Sequence, residues 1–168
     1  MAASEGRLQH IFAPWRFTYV TRADSTTGCI FCSAAKGEDE ALTIGGSERV
    51  FALLNRYPYT AGHTMVAPRA HIGELTRLDT ATLAEMMRLA QRVVEALGRV
   101  YGPHGFNIGM NLGEAAGAGI ADHLHLHIVP RWRGDTNFMS VNADVRVLPE
   151  ELLETQAKLK QALGRVDA

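Results

Sequence analysis

Residues 121–132 read ADHLHLHIVPRW, and this stretch sets three of the chain's seven histidines at every second position. Successive side chains leave a β-strand on opposite faces, so strict alternation of polar and apolar residues marks a half-buried strand. A helix does not bring residues two apart onto one face. As a strand, the segment turns Leu124, Leu126 and Ile128 into a core and lines up His123, His125 and His127 on the other side, with Pro130 ending it. Neighbouring imidazoles then start about 7 Å apart, from a rise of ~3.4 Å per residue. A solvated strand face does not account for the array, because histidine has no particular strand preference. A three-histidine metal site is awkward, because three collinear side chains rarely converge on one tetrahedral ion.

Transfer at phosphorus suits such an array. Neutral imidazole is nucleophilic near pH 7 because its reference pKa is ~6.5. One ring can attack a phosphoryl centre and carry the group covalently. A neighbour can donate to the leaving group or to the non-bridging oxygens. The segment just upstream, LGEAAGAGIA (112–121), is rich in glycine and alanine. Its backbone N–H groups are candidates for phosphate contacts.

The rest of the chain supplies an ordinary globular frame. It has 168 residues, 46% apolar and 21% charged, with a net charge of −1. No overall field draws nucleic acid or acidic membranes, and no apolar run is long enough for a membrane span. The first residues lack a secretory apolar run, which predicts a cytoplasmic, reducing setting. There the single pair Cys29-x-x-Cys32 reads as a metal or redox site, or as two small buried thiols, rather than a disulfide.

The segments 42–44, 49–55, 64–68 and 105–111 are expected as strands, the first two as a hairpin. Asp79 is a candidate cap for a long helix whose apolar positions run from Leu83 through Met86, Met87, Ala90, Val93, Val94 and Leu97 to Val100, stopped by Gly102-Pro103. A second helix is expected over 149–163, with Leu152, Leu153, Leu159 and Leu163 on one side. Strands outnumber helices and short turns join several of them, which predicts an α+β domain with a mainly antiparallel sheet. Residues 21–28 read as a polar loop or arm.

H-x-H-x-H with apolar spacers and two apolar residues after it resembles the signature of the histidine triad (HIT) superfamily of nucleotide hydrolases and transferases. The likeness runs from about Cys29 to Asn137 and includes NRYPYTAGHTMVAPRAH (55–71) as well as the triad segment. It implies a HIT-like α+β fold with a five-stranded antiparallel sheet, one long helix and a C-terminal helix, and a homodimer. It divides the chain into an arm (1–28), a HIT domain (29–140) and a C-terminal extension (141–168). It further implies that His125 is the nucleophile, that His127 donates to the phosphate and that His63 buttresses the triad. Asn55 falls where the family binds ribose, Asn111 near the phosphates, and Phe51 and Leu53 where the base packs. Gly117, Ala118 and Gly119 lie in the phosphate loop.

The flanks APWRFTYV (13–20) and PRWRGDTNFM (130–139) look like the branch of diadenosine tetraphosphate phosphorylases, which use inorganic phosphate to give ATP and ADP. That places Trp132 near the nucleotide or the phosphate acceptor. Arg131 and Arg133 add positive charge there. A hydrolase of the same fold is the alternative. Related proteins often carry Ser or Thr where this chain has Ala118-Gly119-Ile120. Some relatives bind structural zinc through a cysteine pair and two histidines, and the matching positions here are Cys29, Cys32, His71 and His123.

Overall fold

The structure is a computed structural model and describes residues 28–38, 42–135 and 150–166. The expected arm apart from Gly28, the flank 13–20, and Asn137 with residues 136–149 lie outside the described residues. Five strands make one sheet: β1 (Thr43–Gly46), β2 (Val50–Leu54), β3 (Thr64–Pro68), β4 (Gly105–Met110) and β5 (Leu126–Arg131). Their order is β1-β2-β3-β5-β4, and every neighbouring pair is antiparallel. With helices α1 (Ile30–Ala35), α2 (Thr80–Tyr101) and α3 (Leu152–Val166), this is the α+β architecture that the pattern predicted. No helix among the described residues is long and apolar enough to cross a membrane.

The long helix starts and stops where the sequence says. The Asp79 carboxylate accepts from the Thr82 N–H at 2.9 Å, and Gly102 closes the helix in the left-handed region at φ +55°, which glycine adopts at least cost. Met86, Leu89, Ala90, Val93 and Leu97 are buried at helical spacing. Met87, expected in the core, is 45% exposed because it faces away from that stripe.

The C-terminal helix begins later than expected, at Leu152, and runs to Val166. Its buried stripe passes through Thr155, Gln156, Leu159, Ala162 and Leu163, while Leu153 is 64% exposed. Gln156 donates to the Thr43 carbonyl of β1 at 2.8 Å. Glu150 accepts from Thr155 Oγ1 at 2.7 Å, from Lys158 Nζ and from the Tyr101 hydroxyl. That network ties α3 to the end of α2. Burial, with the Glu150 carboxylate next to it, pushes the Tyr101 phenol up to about 12.

The two faces of the sheet bury different sets. Val50, Ala52, Leu54, Val66, Leu126 and Ile128 pack with α2 and α3. Phe51, Leu53, Met65 and Ala67 pack on the opposite face beneath Phe31 and Ala34 of α1. Leu53 is opposite Met65, and Met65 is opposite His127, so this second face is the histidine face.

Two details of β5 differ from the expectation. Its ladder begins at Leu126, so His123 and His125 lie on the approach to it and only His127 is paired. Pro130 does not end it; Pro130 is paired with Phe106 inside it. The β3–β5 ladder has already stopped at Ile128. The Pro130 carbonyl on that side accepts from Thr60 Oγ1 at 2.8 Å instead. The missing N–H therefore faces a side with no ladder to complete.

Candidate active site

The site grows from the chain that precedes β5. Leu124 N–H donates to the Ile72 carbonyl at 2.7 Å, which carries the pairing with the β3 side past Pro68. Gly73 permits this approach: a Cβ there would stand 2.8 Å from the Ala121 carbonyl oxygen. His71 and His123 become neighbours as a result, with ring centroids 5.3 Å apart.

Backbone groups fix the tautomers of the triad, because a carbonyl can only accept and an N–H can only donate. His123 Nε2 donates to the Pro68 carbonyl at 2.8 Å, which leaves the Nδ1 lone pair facing two sulfurs. His125 Nδ1 donates to the His123 carbonyl at 2.8 Å. Its Nε2 therefore carries the free lone pair of the neutral ring. At the third ring the order runs through a relay. Tyr59 N–H donates to His63 Nδ1 at 3.1 Å. His63 Nε2 then donates to His127 Nδ1 at 3.0 Å, and His127 keeps its proton on Nε2. One chain segment thus presents a nucleophilic nitrogen and, in the next ring, a donor, with centroids 4.8 Å apart.

Burial keeps these rings neutral. Loss of water pushes His127 down to about 4, with the adjacent His125 adding to the shift. Burial also lowers His125, against the opposing bond to the His123 carbonyl, and lowers His123.

Cys29, Cys32, His71 and His123 offer four ligand atoms that all lie within 4.8 Å of one another. Cys29 Sγ is 3.3 Å and Cys32 Sγ 3.7 Å from His123 Nδ1, and Cys32 Sγ is 3.2 Å from His71 Nδ1. A tetrahedron with zinc–sulfur bonds of ~2.3 Å and zinc–nitrogen bonds of ~2.0–2.1 Å has edges of about 3.4–3.8 Å. The carbonyl behind His123 is the usual outer support that orients a ligating imidazole. The donor set and its spacing fit a structural zinc with no position left for substrate. Of the readings left open for the cysteine pair, the metal site is the one this geometry supports.

The remaining expected residues fall in different places. Asn55 lies at the end of β2 and is half-buried; its N–H donates to the His63 carbonyl at 2.9 Å and its Oδ1 accepts from Tyr57 N–H at 2.8 Å. Asn111 Nδ2 reaches the Gly117 carbonyl at 3.4 Å. Within the glycine-rich loop, Ala116 and Ala118 donate to the Gly113 carbonyl and Gly117 to that of Glu114, so those amides are spent locally. Gly119 is half-buried and Ala118 buried. Phe51 and Leu53 lie on the triad face but are covered by α1, at 0% and 3% exposure.

Trp132 sits in the turn after β5, five residues past His127, with its backbone N–H donating to Asp135 Oδ2 at 3.2 Å. Arg131 has its charge matched by Asp135 through two contacts of 2.6 and 2.9 Å. Asp122, next to the triad, is exposed, and the Pro68 and His123 carbonyls orient His123 and His125.

Three residues at the site were not singled out from the sequence. Phe31 stacks on His125 at 4.7 Å and meets His123 at 5.1 Å. Tyr59 covers His63 at 4.5 Å. Arg69 donates to the Ala35 and Ser47 carbonyls and lies over the Phe51 ring. A signal existed for Phe31 alone, since a residue between two metal ligands must lie against whatever carries the other ligands.

Comparison with known proteins places the chain. A model of the HIT domain matches residues 36–134. An AP-4-A phosphorylase of Mycobacterium tuberculosis is 36% identical, over 95% of this chain and 86% of that one. A zinc-bound histidine triad family protein from Mycobacterium smegmatis superposes with a TM-score of 0.70 at 33% identity, over 86% of this chain and 97% of that one. A hypothetical histidine triad nucleotide-binding protein from Sulfolobus tokodaii gives 0.69 at 29% identity, over 83% and 94%.

Proposed function

The chain belongs to the HIT family, and on that premise we propose that it is a nucleotidyltransferase that splits diadenosine tetraphosphate with inorganic phosphate into ATP and ADP. The observation that carries this reading is the pair of opposed tautomers: His125 with a lone pair on Nε2, and His127 with a proton on Nε2. The 36% identity to an AP-4-A phosphorylase supports the choice of substrate.

In this mechanism His125 Nε2 attacks the α-phosphorus of one nucleotide. The bond from that phosphorus to the bridging oxygen breaks, and ATP leaves with the proton that His127 supplies. The adenylyl group stays on His125. Phosphate then attacks the same phosphorus, the P–N bond breaks, and ADP leaves with His125 restored. Asn55 serves the ribose, and Asn111 with the loop Gly117-Ala118-Gly119 serves the phosphates. After the local bonds of that loop, the N–H groups from Gly119 onward are its donors. Trp132 belongs to the nucleotide or acceptor side. Phe51 and Leu53 back the base pocket from beneath α1 and do not form an open wall. The zinc held by Cys29, Cys32, His71 and His123 is structural.

The proposal includes a homodimer, for which β4 is an edge strand among the described residues, with Ile108 47% exposed. It sets the enzyme in the cytoplasm, where thiols stay reduced. The test is to incubate diadenosine tetraphosphate with and without labelled phosphate and separate the products. Label in ADP, with no turnover when phosphate is withheld, is the expected result. Two ADP, or AMP with ATP, formed without phosphate would replace phosphorolysis with hydrolysis.

A further inference from the structure

The position of Phe31 has a consequence for the nucleophile. The bond from His125 Nδ1 to the His123 carbonyl sets which edge of the ring faces the chain. It does not set the tilt of the ring about that bond, and the tilt decides where Nε2 points. Two neighbours restrict it. His127 meets the His125 ring nearly edge-on, at 4.8 Å and 70°. Phe31 lies along its face, at 4.7 Å and 28°. Phe31 is itself immobilised, at 1% exposure among Phe51, Leu53, Met65 and Ala67.

The helix that carries Phe31 cannot hold itself. α1 has six residues and no side-chain cap at its start, and so short a helix has little stability of its own. It is fixed from outside at both ends. Cys29 and Cys32, on either side of Phe31, belong to the metal set. At the other end Arg69 Nη1 donates to the Ala35 carbonyl at 2.9 Å while its Nε holds the Ser47 carbonyl at 2.6 Å.

We propose that Phe31 is a positioning residue for His125, and that zinc on Cys29 and Cys32 holds it in place by anchoring α1. This rests on the reading of His125 as nucleophile, but its signature is conformational and can be read without turnover. An aromatic pair of this kind shifts a conformational population by up to about tenfold.

The test uses full-length zinc-loaded protein with ¹⁵N-labelled histidine. In the wild type, His125 nitrogens report one tautomer with the proton on Nδ1, and its ring protons are shifted upfield by Phe31. In Phe31→Leu the proton stays on Nδ1, because the carbonyl bond remains, while the proton–proton contacts between the His125 and His127 rings weaken as the His125 ring loses its fixed tilt, and the His63 signals stay. The rate of adenylyl transfer to His125 falls about tenfold while KM stays within about twofold. Stripping zinc from the wild type produces the same change at His125, a readout that survives if Phe31→Leu does not fold. Unchanged proton–proton contacts between the His125 and His127 rings in the variant, or a raised KM at unchanged kcat, would overturn the positioning role; the second result would make Phe31 a substrate contact. Unchanged signals on zinc removal would overturn the part given to the metal. A wild type with the fixed tautomer but no action on dinucleotides would refute the functional reading and leave this one standing.

Discussion

The two faces of the sheet are held together in different ways. Toward α2 and α3, apolar side chains from four strands and two helices interlock, and each has many neighbours. On the triad face each ring depends on a few directed contacts: His123 on a carbonyl and two sulfurs, His125 on a carbonyl and two rings, His127 on His63. The first arrangement is redundant, the second is directional. Stability therefore belongs mainly to the helix face and chemistry to the other, and substitutions should separate the two.

The largest separation is expected at His125. His125→Asn keeps a side-chain donor but no nucleophilic nitrogen. Nucleotidyl transfer should fall by at least about 10⁴-fold, while Tm stays within about 3 °C. Single-turnover transfer from labelled dinucleotide reads the first quantity and a thermal melt the second. Normal turnover in this variant would end the covalent mechanism. The mirror image is Met86→Ala on the helix face, where the side chain is fully buried. Urea titration should show a loss of about 2–5 kcal/mol, with kcat per folded molecule unchanged. A parallel fall in kcat would mean that the two faces are mechanically one.

The same contrast decides what could be read from the sequence. The helix face was legible because its order is local and periodic: Asp79, the spacing from Leu83 to Val100, and Gly102 mark α2 without any tertiary contact. The His-Leu alternation likewise gave the triad its common face. What stayed hidden depends on partners far along the chain. Cys29 and His123 are 94 residues apart, and only a resemblance, not spacing, brought them together. The cover that α1 lays over Phe51 and Leu53, and the stacking of Phe31 on His125, follow from that same closure. Pro130 was misjudged because whether proline ends a strand depends on where the neighbouring ladder stops, and the ladder with β3 stops at the Thr64–Ile128 pair. Leu153 was misplaced because the inward stripe of α3 uses Thr155 and Gln156, polar residues that a search for leucines passes over.

A smaller effect distinguishes the faces by pH. The helix-face core is apolar, whereas His127 is held near 4 when folded, against ~6.5 in an unfolded chain. Between those values the unfolded state binds more protons, so stability rises with pH across the window. It is complete above about 6.5 and is lost as pH falls through about 4. The contribution is on the order of 2–3 kcal/mol, since the ring keeps some solvent access. Urea midpoints at pH 7, 5.5 and 4 for the wild type and His127→Asn isolate it. The variant should have the shallower slope, and parallel slopes would remove His127 as the cause.

The smallest effect sharpens the contrast within one helix. Met86 and Met87 are adjacent, equally apolar, and indistinguishable by composition, yet one is fully buried and the other 45% exposed. A turn of 100° per residue carries the second away from the sheet. Replacing it removes little buried area and leaves no cavity, so Met87→Gln should change stability by less than about 0.5 kcal/mol, where Met86→Ala costs several times more. Equilibrium unfolding of both variants gives the ratio. A cost above about 1 kcal/mol for Met87→Gln would mean that its face of α2 is covered in solution.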